Sequence, residues 1–423
     1  MDSRRLLPIF LIVFTDLLGA GVIAPILPIY TEGVFGATPL QITIFVALFY
    51  AAQSVAAPAL GRISDRVGRR PVLIVSQIGT VFSLIIFIYA EPLGTAVNGL
   101  GFNFGLSGGL IVIYLARILD GITGGNFIIA QAYITDVSTE ENRASSLGVL
   151  GAAFGLGFIF GPAFGGLLAP FGLTIPFIGA VLLTILSVFL TIIMLNESLP
   201  SEKRQLSKKH IPQAQLSHFF TSSSIILIIS ISFIITMALA ILHSTFALFV
   251  DRMLFPNASP EIVGRNVGIL LTFIGIFSVI NQLFLIKPLV KQFGERKVII
   301  FAGISLIIGF LGYSFTDSPV AIVLFSAPVS FGIGLSQPAL QALITRFGTT
   351  QTQGQLLGFF QSSNNLAFII GPIWAGFVFE RYNPQVPFAL MIPLMLIAVA
   401  LSIWLIRHEI PNEHIELGIS ADI

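Results

Sequence analysis

The stretch GRISDRVGRRPVL, residues 61–73, decides the fold, because the chain carries it twice. Residues 287–299, KPLVKQFGERKVI, put Gly294, Arg296 and Val298 in register with Gly68, Arg70 and Val72, at an offset of 226. Each copy is a polar island between long apolar runs. Further on, ITDVSTEENRASSLG (134–148) aligns with ITRFGTTQTQGQLLG (344–358), and GPAFGG (161–166) with GPIWAG (371–376), both at an offset of 210. One such match arises by chance. Ordered matches at three places point to an internal duplication.

The chain around these islands is apolar. Of its 423 residues, 55% are hydrophobic and 10% charged, where soluble domains carry about 25% charged residues. Mean hydropathy is +0.95. This is the composition of a polytopic membrane protein. Runs long enough to cross a bilayer as a helix, roughly 20 residues, fall near 6–30, 40–60, 72–90, 108–133, 144–169, 175–195, 223–250, 266–286, 298–315, 319–344, 356–379 and 385–406. The first run holds Asp16 and is read as a helix that stays, not a cleaved leader. The expected fold class is all-α, with twelve transmembrane helices in two pseudo-symmetric six-helix bundles, 1–196 and 223–407. A polar linker, 197–222, within NESLPSEKRQLSKKHIPQAQLSHFF, joins them, and 408–423 is a tail. Paired halves of this kind are the architecture of alternating-access transporters.

Lys and Arg give the orientation. With twelve spans, one side collects all but four of the 21. Arg252, Arg265 and Arg381 fall opposite, and Arg117 falls inside a span. The rich side, with both termini, is expected to be cytoplasmic, in a multi-pass protein of the cell membrane. A net charge of +1 implies no nucleic-acid partner, and the absence of cysteine excludes disulfides and thiolate metal sites. Four of the five histidines (His210, His218, His408, His414) sit in loops. No metal-binding cluster is readable, and an enzyme is not expected. No GxxxxGK[ST] loop implies ATP as energy source.

Four ionisable residues fall well inside spans: Asp16, Arg117, Asp120 and His243. A charge there costs on the order of 3 kcal/mol and marks function by default. Arg117 and Asp120, in LARILDGITGGN (115–126), are three residues apart and share a helix face. The proton affinity of a carboxyl changes as it moves between apolar walls and a cation. Asp16 is thus a candidate proton carrier that pairs with Arg117 when ionised and releases it when protonated. Asp120 is a second carrier or a site for a substrate cation. A permanent buried salt bridge, Asp16–Arg117 or Arg117–Asp120, is the structural alternative. His243 lies opposite Asp16 in the repeat, at an offset of 227, and titrates in a useful range, though a lone histidine is often only packed. Asn126, Gln337 and Gln341 are among the neutral groups available to line a cavity with His243, or to join helices.

The duplication carries a reversal of sign. Asp65 corresponds to Lys291, Arg69 to Glu295, and Asp136 to Arg346. Asp136 can then pair with Arg66 or Arg69, and Arg346 with Glu295. Each half would carry a cytoplasmic latch, the two of opposite polarity. Ordinary topology-setting charges are the alternative. Gly157, Gly161, Pro162, Gly165 and Gly166, with Gly151 and Gly155, give small-residue spacings that let helices approach closely, and Pro162 can bend its helix. The insert GTAVNGLGFNFGLSGG (94–109) is Gly-rich and reads as flexible.

These motifs resemble the major facilitator superfamily, and most closely its twelve-helix drug:proton antiporters of the tetracycline-efflux-like branch. TDLLGAGVIAPILP (15–28) resembles that group's first-helix signature. GRISDRVGRR resembles the superfamily's 2–3 loop motif, with Gly61, Asp65, Arg66, Gly68, Arg69 and Arg70 as gating residues. LARILDGITGGN resembles the fourth-helix motif with its intramembrane arginine, and GLGFIFGPAFGG (155–166) the fifth-helix motif associated with antiporters and with blocking proton leak. The resemblance implies that spans 1, 4, 7 and 10 line a central cavity. It departs from tetracycline pumps in spans 3 and 9, VLIVSQIGTVFSLIIFIYA and VIIFAGISLIIGFLGYSF, which carry no acidic residue. The expected function is therefore proton-driven export of a small lipophilic or amphipathic compound, as a monomer in the bilayer, with the proton gradient in place of any cofactor. A proton-coupled nutrient symporter and a lipid or glycolipid flippase are the alternatives.

Overall fold

The computed structural model describes residues 3–100, 105–138, 143–199, 222–347 and 353–407. Most of the expected linker and the whole tail, with the loop histidines in them, lie outside these residues. All regular structure among the described residues is helical. The first apolar run forms α1 (Ser3–Ile23) and α2 (Leu27–Phe35), parted where Pro25 and Pro28 remove ladder donors. Next, α3 (Pro39–Val67) opens on a capping box: Thr38 Oγ1 accepts from the Gln41 amide, and Gln41 Oε1 from the Thr38 amide. Then come α4 (Arg69–Ile88), α5 (Ala90–Gly99), α6 (Gly108–Thr123), α7 (Asn126–Val137), α8 (Arg143–Leu168) and α9 (Ile175–Met194). Beyond the linker, α10 (Ser223–Phe249) closes in a π turn, and α11 (Pro260–Ile280) passes through a second π turn, Asn281–Leu285, into α12 (Ile286–Phe315). The chain ends in α13 (Pro319–Thr345), α14 (Gln353–Arg381) and α15 (Val386–Ile406).

Ten helical runs among the described residues are long and apolar enough to cross a membrane. One of them, Pro260–Phe315, is 56 residues long, about twice what a bilayer needs, and is kinked into two helices at Gly294. With that run holding two spans, and α8 supplying the shorter apolar run Gly155–Phe171, the count is the expected twelve.

The duplication shows in the backbone. Gly68 separates α3 from α4 at φ 119°, ψ 157°, and Gly294 makes the matching turn at φ 76°, ψ 160°. Both lie where an L side chain is strained. A β-carbon at Gly294 would meet nothing within 4 Å. Gly294→Ala therefore tests strain alone, and is expected to cost about 1–3 kcal/mol, read as a lower thermal unfolding midpoint. Gly358→Ala, equally open but helical, is the control and should stabilise slightly.

Contacts group the chain into two compact units: Met1–His210 with His243–Gly275 and Pro372–Pro384, and Ile211–Leu242 with Ile276–Gly371 and Gln385–Ile423. In the first, α1 lies along α8 and α9. Gly21 meets Gly161 backbone to backbone, so a β-carbon on either would approach the other's Cα within 3.0 Å. Beside this seam, Ile12, Val13, Leu73, Ile129, Tyr133 and Ala153 belong to one core cluster. A buried polar chain runs through the same unit: Ser187 Oγ donates to the Ile12 carbonyl at 3.0 Å, Gln77 Nε2 to Ser187 Oγ at 2.8 Å, and Thr191 Oγ1 to Gln77 Oε1 at 2.9 Å. The unit also holds an ion pair, Arg252–Glu32 at 2.7 Å, with the guanidinium 5.4 Å from the Phe379 ring, and a cap in which Glu380 accepts from the Leu40 amide at the start of α3.

The insert 94–109, expected to be flexible, is helical at its start and packed at its end. Its first part is helix α5, which packs on α6. Asn98 Oδ1 accepts from the Gly108 amide at 2.8 Å, and a β-carbon at Gly94 would run into the Gly109 backbone. Gly94, Gly108 and Gly109 serve close contact here, while Gly99 and Gly105 stand in open space, Gly105 at φ 70°. In the second unit, α12 packs against α13 and α15.

Candidate functional site

The stretch that places charges in a span is built around a helix break. α6 ends at Thr123, and α7 starts at Asn126 after Gly124 and Gly125. Gly121 lies so close to Phe49 and Ala52 of α3 that a β-carbon would clash, and Gln53 Nε2 donates to the Gly124 carbonyl at 2.7 Å. Packing on α3 thus fixes the break. A broken helix at membrane depth is tolerated where neighbours satisfy the freed backbone, and Gln53 does so here.

The break aims Asn126 at Asp16. Asn126 Nδ2 donates to both carboxylate oxygens, each at 3.1 Å. The two line a recess with Ile12, Val13, Leu17, Leu73 and Gln77, with room for about one water molecule. Asn126 Oδ1 is buried without a partner. Arg117 takes a different place from the one expected. It pairs with Asp120, Nη1 to Oδ2 at 3.2 Å, while its guanidinium lies 5.2 Å from the Phe87 ring and 6.0 Å from that of Phe49. Asp16 and Arg117 make no ion pair among the described residues. The reason is geometric: the i, i+3 spacing hands Arg117 to Asp120, and the break turns Asn126 toward α1. His243 sits half-buried in α10.

The other neutral candidates lie in the second unit. Gln337 Nε2 donates to Thr236 Oγ1 at 2.8 Å, and Asn364 Oδ1 accepts from Ser232 at 2.7 Å and from Thr236 at 3.0 Å. These buried groups tie α10, α13 and α14 together. Gln341, one turn on from Gln337, is exposed. Asn126 and Gln337 thus each spend hydrogen bonds on the protein itself.

The polar islands carry paired charges. Arg69 reaches Asp65 at 2.6 Å and, through Nε, Asp136 at 3.0 Å, and donates to Ser64 Oγ at 2.6 Å. Arg66 is exposed, and Asp136 takes Arg69. In the second copy Arg346 meets Glu295 at 2.8 Å. The matched arginines act alike: Arg70 donates to the Ile192 carbonyl in the last turn of α9, and Arg296 to the Ile406 carbonyl at the end of α15. Sequence reasoning missed Glu197. Its carboxylate accepts from the Arg69 and Arg70 amides at 2.8 and 3.2 Å and so caps α4, where the helix dipole favours an anion. Gly61 has open space around it. In α8, Gly157 lies against Leu17, Gly165 against the Val22 carbonyl, and Gly166 against the Gly268 backbone. Pro162 stays inside the helix.

A duplicated helical protein with some twelve spans, an ion pair and a further carboxyl within them, and charge clusters at the turns, is a polytopic membrane protein of the transporter type. The chain belongs to the Major Facilitator Superfamily, which matches residues 9–256 and 241–421. It is similar to the class C tetracycline resistance protein of Escherichia coli, 29% identical over 380 residues, 88% of this chain and 89% of that one. It is also similar to multidrug resistance protein 1 of Bacillus subtilis (strain 168), 29% identical over 402 residues, 92% and 93% of the two chains. Among solved structures, the nucleoside transporter NupG shares the fold, with a TM-score of 0.75 at 14% identity over 97% of this chain and 100% of that one.

Proposed function

We propose that the chain is a proton-coupled exporter that moves a small lipophilic or amphipathic compound outward in exchange for protons. It works by alternating access, as a monomer in the cell membrane, with both ends on the cytoplasmic side. The proton gradient is its energy source. Asp16 is the proton carrier, the Arg117–Asp120 pair tunes the field around it, and the charge clusters at Arg69 and Arg346 latch the cytoplasmic side. The observation that carries this reading is Asp16 itself: an acidic residue inside the first span, away from any cation partner, held by a neutral amide beside a recess for about one water. A carboxyl kept at such cost is a functional group by default. Similarity to a tetracycline and a multidrug resistance protein over most of the chain supports export as the direction. Spans 3 and 9, without acidic residues, favour compounds other than a cationic tetracycline chelate.

The test is transport in proteoliposomes under an imposed pH gradient, with a pH-sensitive dye inside, against a panel of drugs, sugars and lipids. Substrate-dependent proton flux opposite to substrate is expected. Flux in the same direction as substrate overturns the exporter reading in favour of a symporter.

A further inference from the structure

α7 carries a described group at each end. Asn126 opens it and holds Asp16, while Asp136, in its last turn, holds Arg69 at the start of α4. About 15 Å of helix separates them. The Gly124–Gly125 break separates α7 from α6, so α7 is a helical segment of its own.

The bonding at Asn126 is lopsided. Nδ2 serves both oxygens of Asp16, and Oδ1 is buried with nothing to accept from. A carboxylate only accepts hydrogen bonds. Beside it the amide must present its NH2 group and leave its carbonyl orphaned, a costly arrangement. A carboxylic acid both donates and accepts. Beside it the amide turns side-on: the Asp16 O–H donates to Oδ1, Nδ2 donates to the other carboxyl oxygen, and no group is left over. The two protonation states therefore ask for two amide orientations. The residue bearing the amide is the first of a helix that starts at a break.

We infer that Asn126 is a positioning residue that reads the protonation of Asp16 and passes it, through a shift of α7, to the Asp136–Arg69 latch. This rests on the reading of Asp16 as proton carrier. The groups facing Asp16 leave Asn126 as the natural reader. α4 offers Leu73 and Gln77 to the recess that Asp16 lines, neither of which titrates. The titratable groups around it are Asp120 of α6, whose charge acts on Asp16, and Tyr133 of α7, in the adjoining core. Arg117 is engaged by Asp120.

The chain has no cysteine, so Val137→Cys, next to Asp136, supplies a single thiol. Its alkylation across a pH series, normalised to a free thiol at each pH, reports whether the end of α7 is docked. A hydrophobic carbodiimide, which attacks protonated carboxyls, reports Asp16 by peptide mapping. In Val137→Cys protein both signals are expected to follow pH together. With Asn126→Leu added, carbodiimide labelling of Asp16 should still follow pH while the alkylation response is lost. Asn126→Ala should behave the same and serves if the leucine variant does not fold. Alkylation that keeps its pH response in these variants, or that never varies with pH in Val137→Cys, overturns the inference. If instead Asp16→Asn retains both the alkylation response and substrate-driven proton flux, the carrier reading itself has failed.

Discussion

Asp16→Asn is expected to abolish substrate-driven proton movement completely while leaving the protein folded and able to exchange substrate for substrate. Asparagine has nearly the size of aspartate and fits the same recess between Ile12, Val13, Leu17 and Leu73. It also keeps a hydrogen bond to Asn126, since two amides can pair. What it loses is the ability to take or release a proton. Removing a carboxyl that has no cation partner in the span also removes a desolvation cost on the order of 3 kcal/mol. Thermal stability should therefore hold or rise, which separates this outcome from simple damage. The dye-reported flux in proteoliposomes measures the first effect, substrate counterflow the second, and a thermal melt the third. Proton flux that persists in folded Asp16→Asn protein would falsify the assignment of the carrier.

The fold was legible because its signals are long-range and redundant. Apolar run length gave the spans, and the twinned glycines Gly68 and Gly294 gave the repeat. Those glycines share a backbone conformation that other residues reach only under strain, so a sequence match there reports geometry directly. The close packing of part of 94–109 was hidden for the opposite reason. Glycine serves both freedom and close contact, and only the partner decides which. Gly94, Gly108 and Gly109 each meet a backbone or a ring, partners invisible in the sequence.

The site was legible where charge chemistry is local. The i, i+3 spacing joins Arg117 to Asp120, and the sign reversal between the halves named Glu295 for Arg346 and offered Arg66 or Arg69 to Asp136. Asn126 was visible only as one neutral group among several. Its aim at Asp16 depends on where α6 stops, and that depends on Gly121 and Gly124 meeting Phe49, Ala52 and Gln53 of α3. Glu197 was hidden because a loop carboxylate that caps a helix over a hundred residues away, at Arg69, leaves no local pattern.

The same reversal of sign yields the second large effect. Arg69→Glu is expected to remove most transport. It breaks the contacts to Asp65, Asp136 and Ser64 together and crowds a third carboxylate between the first two. The loss in stability should be about 1–3 kcal/mol, since the partners are only partly shielded from solvent. Adding Asp136→Arg should recover much of the activity, because Glu295 and Arg346 already hold that polarity at 2.8 Å in the second copy. The introduced glutamate would then still face Asp65 at i, i+4, a like-charge pair. The second copy has Lys291 at that place, so Asp65→Lys, Arg69→Glu and Asp136→Arg together should do better than the double variant. The double exchange leaves the total of Lys and Arg on its side of the membrane unchanged, so topology by the positive-inside rule is held constant. Transport rates and unfolding midpoints for the series decide between two accounts. Recovery in the order single, double, triple identifies a latch in which pairing matters. A double variant no better than the single would leave these charges as topology signals whose contacts with one another carry no work in the cycle.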